Sequence, residues 1–89
     1  MQKKFDLMKH AIGLDRKSPY KRHGKLFYKP YRNYFFTSSD DRDWNSLVDL
    51  NYAKKNDANK EGYSYFTITR KGLDVLGEYM NCKIYDEED

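Results

Sequence analysis

Rings outnumber branched aliphatics in this chain: fifteen Phe, Tyr and Trp stand against twelve Leu, Ile and Val in 89 residues. Nine of the fifteen are Tyr. A core drawn from such a set must lean on aromatic burial, with Tyr hydroxyls reaching a partner or water. Apolar residues make up 38% and charged residues 35%, so that core is small and serves one domain. Multidomain enzymes and doubly wound nucleotide folds are thereby excluded. No stretch approaches the roughly 20 apolar residues of a membrane span. Residues 1–6 lead into no apolar segment of a secretory signal, so none is expected. Clear apolar periods argue against disorder throughout.

Those periods place the elements. Phe5, Met8 and Ile12 form one stripe, widened by Leu7 and Ala11, and predict a helix over 2–14 that Gly13 weakens at its end. Residues 15–33 lack a helical period and hold Pro19, Gly24 and Pro30, which predicts a long irregular arm. Residues 34–37 suit a short strand or an extended aromatic plug. Ser38, Ser39 or Asp40 is then expected to cap a second helix, with Trp44, Leu47 and Val48 as its apolar stripe and Leu50 near the end. Asn51 suits the left-handed residue that ends it. Residues 52–55 and 63–68 read as a hairpin with a polar tip. Thr69 is expected to cap a third helix from Arg70 to Met80, and Gly72 in its first turn hints at close packing. Residues 1–80 are thus one domain. The acidic tail, 81–89, is expected to fray, although Ile84 and Tyr85 could dock.

Helix, arm, helix, hairpin, helix is the outline of a reduced winged-helix domain. The expected class is α+β: three helices plus a β-hairpin, with a long basic aromatic arm between helices 1 and 2. Leu47-Val48-Asp49-Leu50-Asn51-Tyr52-Ala53, followed after the hairpin by Phe66-Thr67-Ile68-Thr69-Arg70-Lys71-Gly72, looks like the helix-to-wing passage and Thr-x-x-Gly helix start of such domains. His10-Ala11-Ile12-Gly13-Leu14-Asp15, with Lys29-Pro30-Tyr31-Arg32-Asn33-Tyr34-Phe35, resembles a family of small uncharacterised proteins encoded by bacteriophages and prophages. The resemblance covers most of residues 5–77 and departs in the extended arm, 18–28. It implies a phage or mobile-element origin and a fold, and it implies no mechanism.

Charge is concentrated. Residues 1–36 carry a net +8, residues 37–80 a net −2 and the tail −3. A basic N-terminal third suits a polyanion or an acidic protein surface, or it is simply charge worn in a block. Catalytic constellations are lacking: His10 and His23 are the only histidines, and a packed or solvated role is the simpler reading of each. The single Cys82 fits a reducing cytoplasm and a passive thiol. Asp40-Asp41-x-Asp43 lacks the rest of a calcium loop, and the five glycines form no phosphate loop. No enzyme, metal, cofactor or small-molecule substrate is therefore expected.

The candidate binding residues lie in the arm: Arg16, Lys17, Tyr20, Lys21, Arg22, Lys25, Tyr28, Lys29 and Arg32. Cations interleaved with rings can neutralise phosphates and stack on unpaired bases, and they equally suit an acidic protein groove. The alternative is that the rings complete the core, which is the reading for 31–36. The second helix, 40–50, is acidic at net −3 and a poor fit to a DNA groove. Auxiliary contacts would then come from Lys54, Lys55 and Lys60 in the wing and from Arg70 and Lys71 at the third helix start. The expected function is a cytoplasmic phage-encoded accessory protein that binds a macromolecule of its bacterial host. The partner is a protein or protein–nucleic-acid complex, and one such role is interference with nucleic-acid processing or defence. A DNA-binding regulator using arm and wing is the second reading, and a minor virion or assembly component the third. No membrane partner is expected.

Overall fold

The computed structural model describes residues 2–86. Helices α1 (Gln2–Ile12), α2 (Arg42–Asp49) and α3 (Arg70–Met80) alternate with strands β1 (Tyr20–Arg22), β2 (Lys25–Tyr28), β3 (Phe35–Ser38), β4 (Ala53–Lys55), β5 (Tyr63–Ile68) and β6 (Lys83–Ile84). The class is α+β, as expected, but six strands in two three-stranded sheets replace the single hairpin. In the larger sheet, of order β3-β5-β4, every pair is antiparallel, and Phe36 stands opposite Tyr65 and Lys54 opposite Thr67.

The arm departs most from expectation. Residues 15–33 are not irregular: β1 and β2 form an antiparallel hairpin with Tyr20 opposite Phe27 and Arg22 opposite Lys25. Its two-residue turn is His23-Gly24, with φ of 52° and 78°, the left-handed pair that a tight hairpin turn requires. Two strands this short carry too little period to register in sequence, and their cations hide the alternation. The third strand comes from the tail. Lys83 and Ile84 run parallel to β2, opposite Phe27 and Tyr28, so this part of the segment expected to fray is paired. The rest of that expectation, residues 87–89, lies outside the described residues.

Helix ends follow local chemistry. α2 is capped by Asp41, one residue later than expected: its carboxylate accepts from Trp44 N at 3.0 Å and from the Thr37 hydroxyl at 3.2 Å. α1 stops at Ile12, where Gly13 takes φ of 85°. Leu14 N then donates back to Lys9 O, the hydrogen bond that closes a left-handed helix end.

The core joins Phe5, Met8 and Ile12 of α1 to Trp44 and Leu47, Leu73 and Leu76, Phe66 and Ile68, Tyr28 and Ile84. Trp44 is fully buried between Phe35, stacked at 5.3 Å, and Phe66 at 5.5 Å. Yet only Phe5, Tyr28, Trp44 and Phe66 among the fifteen rings are buried, and seven are exposed. The aromatic surplus is therefore mostly surface. Within 31–36, read as core filler, Phe35 packs inward while Tyr31, Tyr34 and Phe36 face solvent at 49%, 52% and 46% exposure. No helix among the described residues is long and apolar enough to cross a membrane.

Candidate macromolecule-binding surfaces

Strand alternation sorts the arm residues by face. Tyr20 and Arg22 on β1, Lys25 and Phe27 on β2, and Lys83 on β6 share the outer face of the β1-β2-β6 sheet. Tyr85, two residues past Lys83, continues it. The rings of Tyr20, Phe27 and Tyr85 form a row, with centroids 5.9 Å and 6.1 Å apart and planes within 25° and 13° of parallel. The Lys83 ammonium sits 5.9 Å over the Tyr85 ring. None of the three strands contains a carboxylate. Behind the hairpin, Lys21 and Leu26 face an open cleft of about 920 Å³, whose far wall is α3 with Leu73, Asp74 and Glu78.

Two of the predicted contact residues belong to the scaffold. Tyr28 is 3% exposed, and its hydroxyl donates to Ile12 O at 2.7 Å, so it anchors the hairpin to α1 and cannot meet a partner. Burial raises its pKa. Arg32 ties the arm root: it donates to His10 O at 2.8 Å, lies 3.8 Å from Asp15 Oδ1 and stands over the Tyr31 ring. Beside it, His10 Nδ1 is 2.5 Å from Asp15 Oδ2, and this hydrogen bond holds the Asp15 carboxyl below its usual range. Lys17 covers the same Tyr31 ring at 4.8 Å, while Arg16 and Lys29 are exposed near the two ends of the arm. Tyr20, Arg22 and Lys25 are thus gathered on one face, and Lys21 is turned to the other.

The wing and α3 cations do not join them in one cluster. Lys55 donates to Asn45 Oδ1 at 2.8 Å and Ser39 O at 3.1 Å. Arg70 donates to Asp74 Oδ1 at 2.8 Å and to the Ile84 carbonyl, so it pins β6. Lys71 covers Tyr52. Lys54 lines a notch of about 290 Å³ with Asn33, Thr67, Arg70 and Asp86. Lys60 is exposed at the hairpin tip.

Two surface features escaped sequence reasoning. Lys83 and Tyr85 join the hairpin face through a parallel pairing for which the tail offers only the apolar pair Ile84-Tyr85 as a signal. The second is a group of four exposed rings, Tyr34, Phe36, Tyr63 and Tyr65, on the outer face of the β3-β5-β4 sheet. The sequence places Tyr63 and Tyr65 on one face of the strand by their spacing, and the structure makes that face the exposed one, with Ser64 and Phe66 buried. Among the described residues no group of three or more His, Cys, Asp or Glu could hold a metal ion. Cys82 is half-buried, and burial raises its pKa, which keeps it a thiol.

The chain matches no family model, no curated protein and no solved structure. The functional reading stands on these surfaces.

Proposed function

We propose that this is a non-enzymatic binding protein of phage or prophage origin that acts in the cytoplasm of its bacterial host. It engages a nucleic-acid-handling complex through the outer face of the β1-β2-β6 sheet and works by occlusion. One observation carries the reading: the row of Tyr20, Phe27 and Tyr85, flanked by Arg22, Lys25 and Lys83 with no carboxylate in the strands. The cations release counterions from a phosphate backbone, and the rings supply rigid apolar contact at little entropic cost. The hairpin is well placed for insertion, because the fastenings that Tyr28, Arg32 and β6 make to the body lie at its root. The acidic residues of α2, Asp43 and Asp49, disfavour docking of that helix against phosphates. The β4-β5 hairpin beside α2, with β3 as its third strand, supports the winged-helix outline as the carrier of this arm.

Anisotropy titration of a short labelled DNA across salt tests the polyanion contact. The Arg22→Ala/Lys25→Ala variant is expected to lower the slope of log K against log salt by about 1 per lost phosphate contact. Absence of any binding by the wild-type protein at low salt, with single strands and duplex alike, would sink it. An additional loss in Lys54→Ala/Lys60→Ala, seen with duplex alone, would favour a DNA regulator using arm and wing.

A further inference from the structure

The four rings on the outer face of the β3-β5-β4 sheet form a surface of their own. Tyr34, Phe36, Tyr63 and Tyr65 are each 44–52% exposed. Phe36 stacks on Tyr63 at 5.5 Å and leans on Tyr65 at 4.6 Å, and Tyr65 meets Tyr34 edge-on at 5.8 Å. Cross-strand ring pairs do stabilise a sheet modestly. That accounts for the pairing but not for four rings together on a face where polar residues ordinarily stand.

We propose that this face is a stacking platform for the unpaired bases of a single-stranded nucleic acid. Tyr63 and Tyr65 stand two residues apart on the central strand, roughly 7 Å along it, so successive stations can each take one base. Stacking on sheet aromatics is a common mode of single-strand recognition, because every base has a π-face. Charge supports it. The strand positions of this face carry no carboxylate, and at one end Lys54, opposite Thr67, lines a notch with Arg70 and Asp86, two cations to one carboxylate. At the other end the turn holds Asp57 and Glu61 against Lys60, so the phosphates enter from the Lys54 side. A second copy of the chain fits less well. Four half-exposed rings offer roughly 400 Å², against about 800 Å² per partner in a stable interface.

This surface is separate from the hairpin, and the experiment keeps the two apart. Labelled oligothymidylate and a duplex of equal length are titrated against wild type, with tyrosine emission as a second readout. The wild type is expected to prefer the single strand and to lose tyrosine emission on binding. Phe36→Ala/Tyr65→Ala is expected to weaken single-strand binding roughly tenfold or more, and Tyr65→Phe to preserve it. Arg22→Ala/Lys25→Ala should lower the salt slope for duplex and single strand alike, whereas the platform variant weakens the single strand selectively. Should the double alanine variant unfold by circular dichroism, Tyr63→Ala at the platform's end provides the same comparison. Unchanged single-strand affinity in a folded platform variant overturns the proposal, as does equal affinity for duplex. Wild-type dimers in sedimentation that Phe36→Ala/Tyr65→Ala dissociates would assign the face to a second copy instead.

Discussion

Asn33 closes the end of the β3–β5 ladder with its side chain. Its amide donates to Ile68 O at 2.9 Å and its oxygen accepts from Ile68 N at 2.8 Å, the exchange a paired strand residue would make through its backbone. Asn33→Ala leaves both Ile68 groups without these partners and is expected to cost about 1–3 kcal/mol in urea unfolding. Gly72 matters for space. A Cβ there would run into the Tyr52 carbonyl oxygen and crowd Ile68 Cγ2 at 2.8 Å. Alanine ordinarily gains about 1 kcal/mol over glycine inside a helix. Here Gly72→Ala is expected to lower thermal stability, by about 1–3 kcal/mol, because overpacking against backbone outweighs propensity. An unchanged or raised melting temperature would contradict that. The need for glycine at 72 was legible as a helix former missing from a first turn, whereas the partner of Asn33 lies 35 residues away and left no local trace.

The three helices end alike. Gly13, Asn51 and Asn81 take φ of 85°, 65° and 54°, and the next residue donates back to Lys9, Leu47 and Gly77 respectively. Such closures depend on one residue's tolerance of left-handed backbone, which is why helix ends could be read locally. The strands of the arm could not. β6 is only two residues long, yet Ile84 is 1% exposed and part of the core. Ile84→Ala is therefore expected to cost about 2–4 kcal/mol in equilibrium unfolding, where a frayed tail would show no effect. The arm root adds a pH dependence. The depressed pKa of Asp15, set first by its hydrogen bond to His10, means that its stabilisation is present above 3.8 and lost as pH falls through the lower folded value. Asp15→Asn is expected to remove that portion of the acid limb when melting temperature is followed from about pH 6 to about pH 2. Identical acid limbs in variant and wild type would refute it.

The molecule extends 48 Å along its long axis and little more than 20 Å across. Its two sheets are unequal in anchorage. β1 is exposed at all three positions, while Ser64, Phe66 and Ile68 bury one side of β5 in the core. Local opening scales with missing buried contact. Amide exchange at Lys21 and Leu26 is therefore expected to be faster than at Phe66 and Ile68, and equal protection would argue against a hairpin fastened only at its root. The exposed rings of the larger sheet stand instead on a strand whose other side is buried in the core.

Stretches governed by neighbours a few residues apart were determined by the sequence itself: three helices, their caps at Thr69 and Asn51, the β4-β5 hairpin and the concentration of cations before Phe36. Tertiary structure alone decided the sidedness of the rings. A one-residue change of register exchanges the two faces of a strand, so whether Tyr63 and Tyr65 or Ser64 and Phe66 meet solvent depends on pairing with β3 and β4. Whether Tyr28 is a contact or an anchor depends likewise on β6, which arrives from the far end of the chain. Helical hydrogen bonds close within a turn and leave their period in the sequence. Strand pairing spans the chain, and with it the assignment of eleven unburied rings to two separate faces and to the margins of the core.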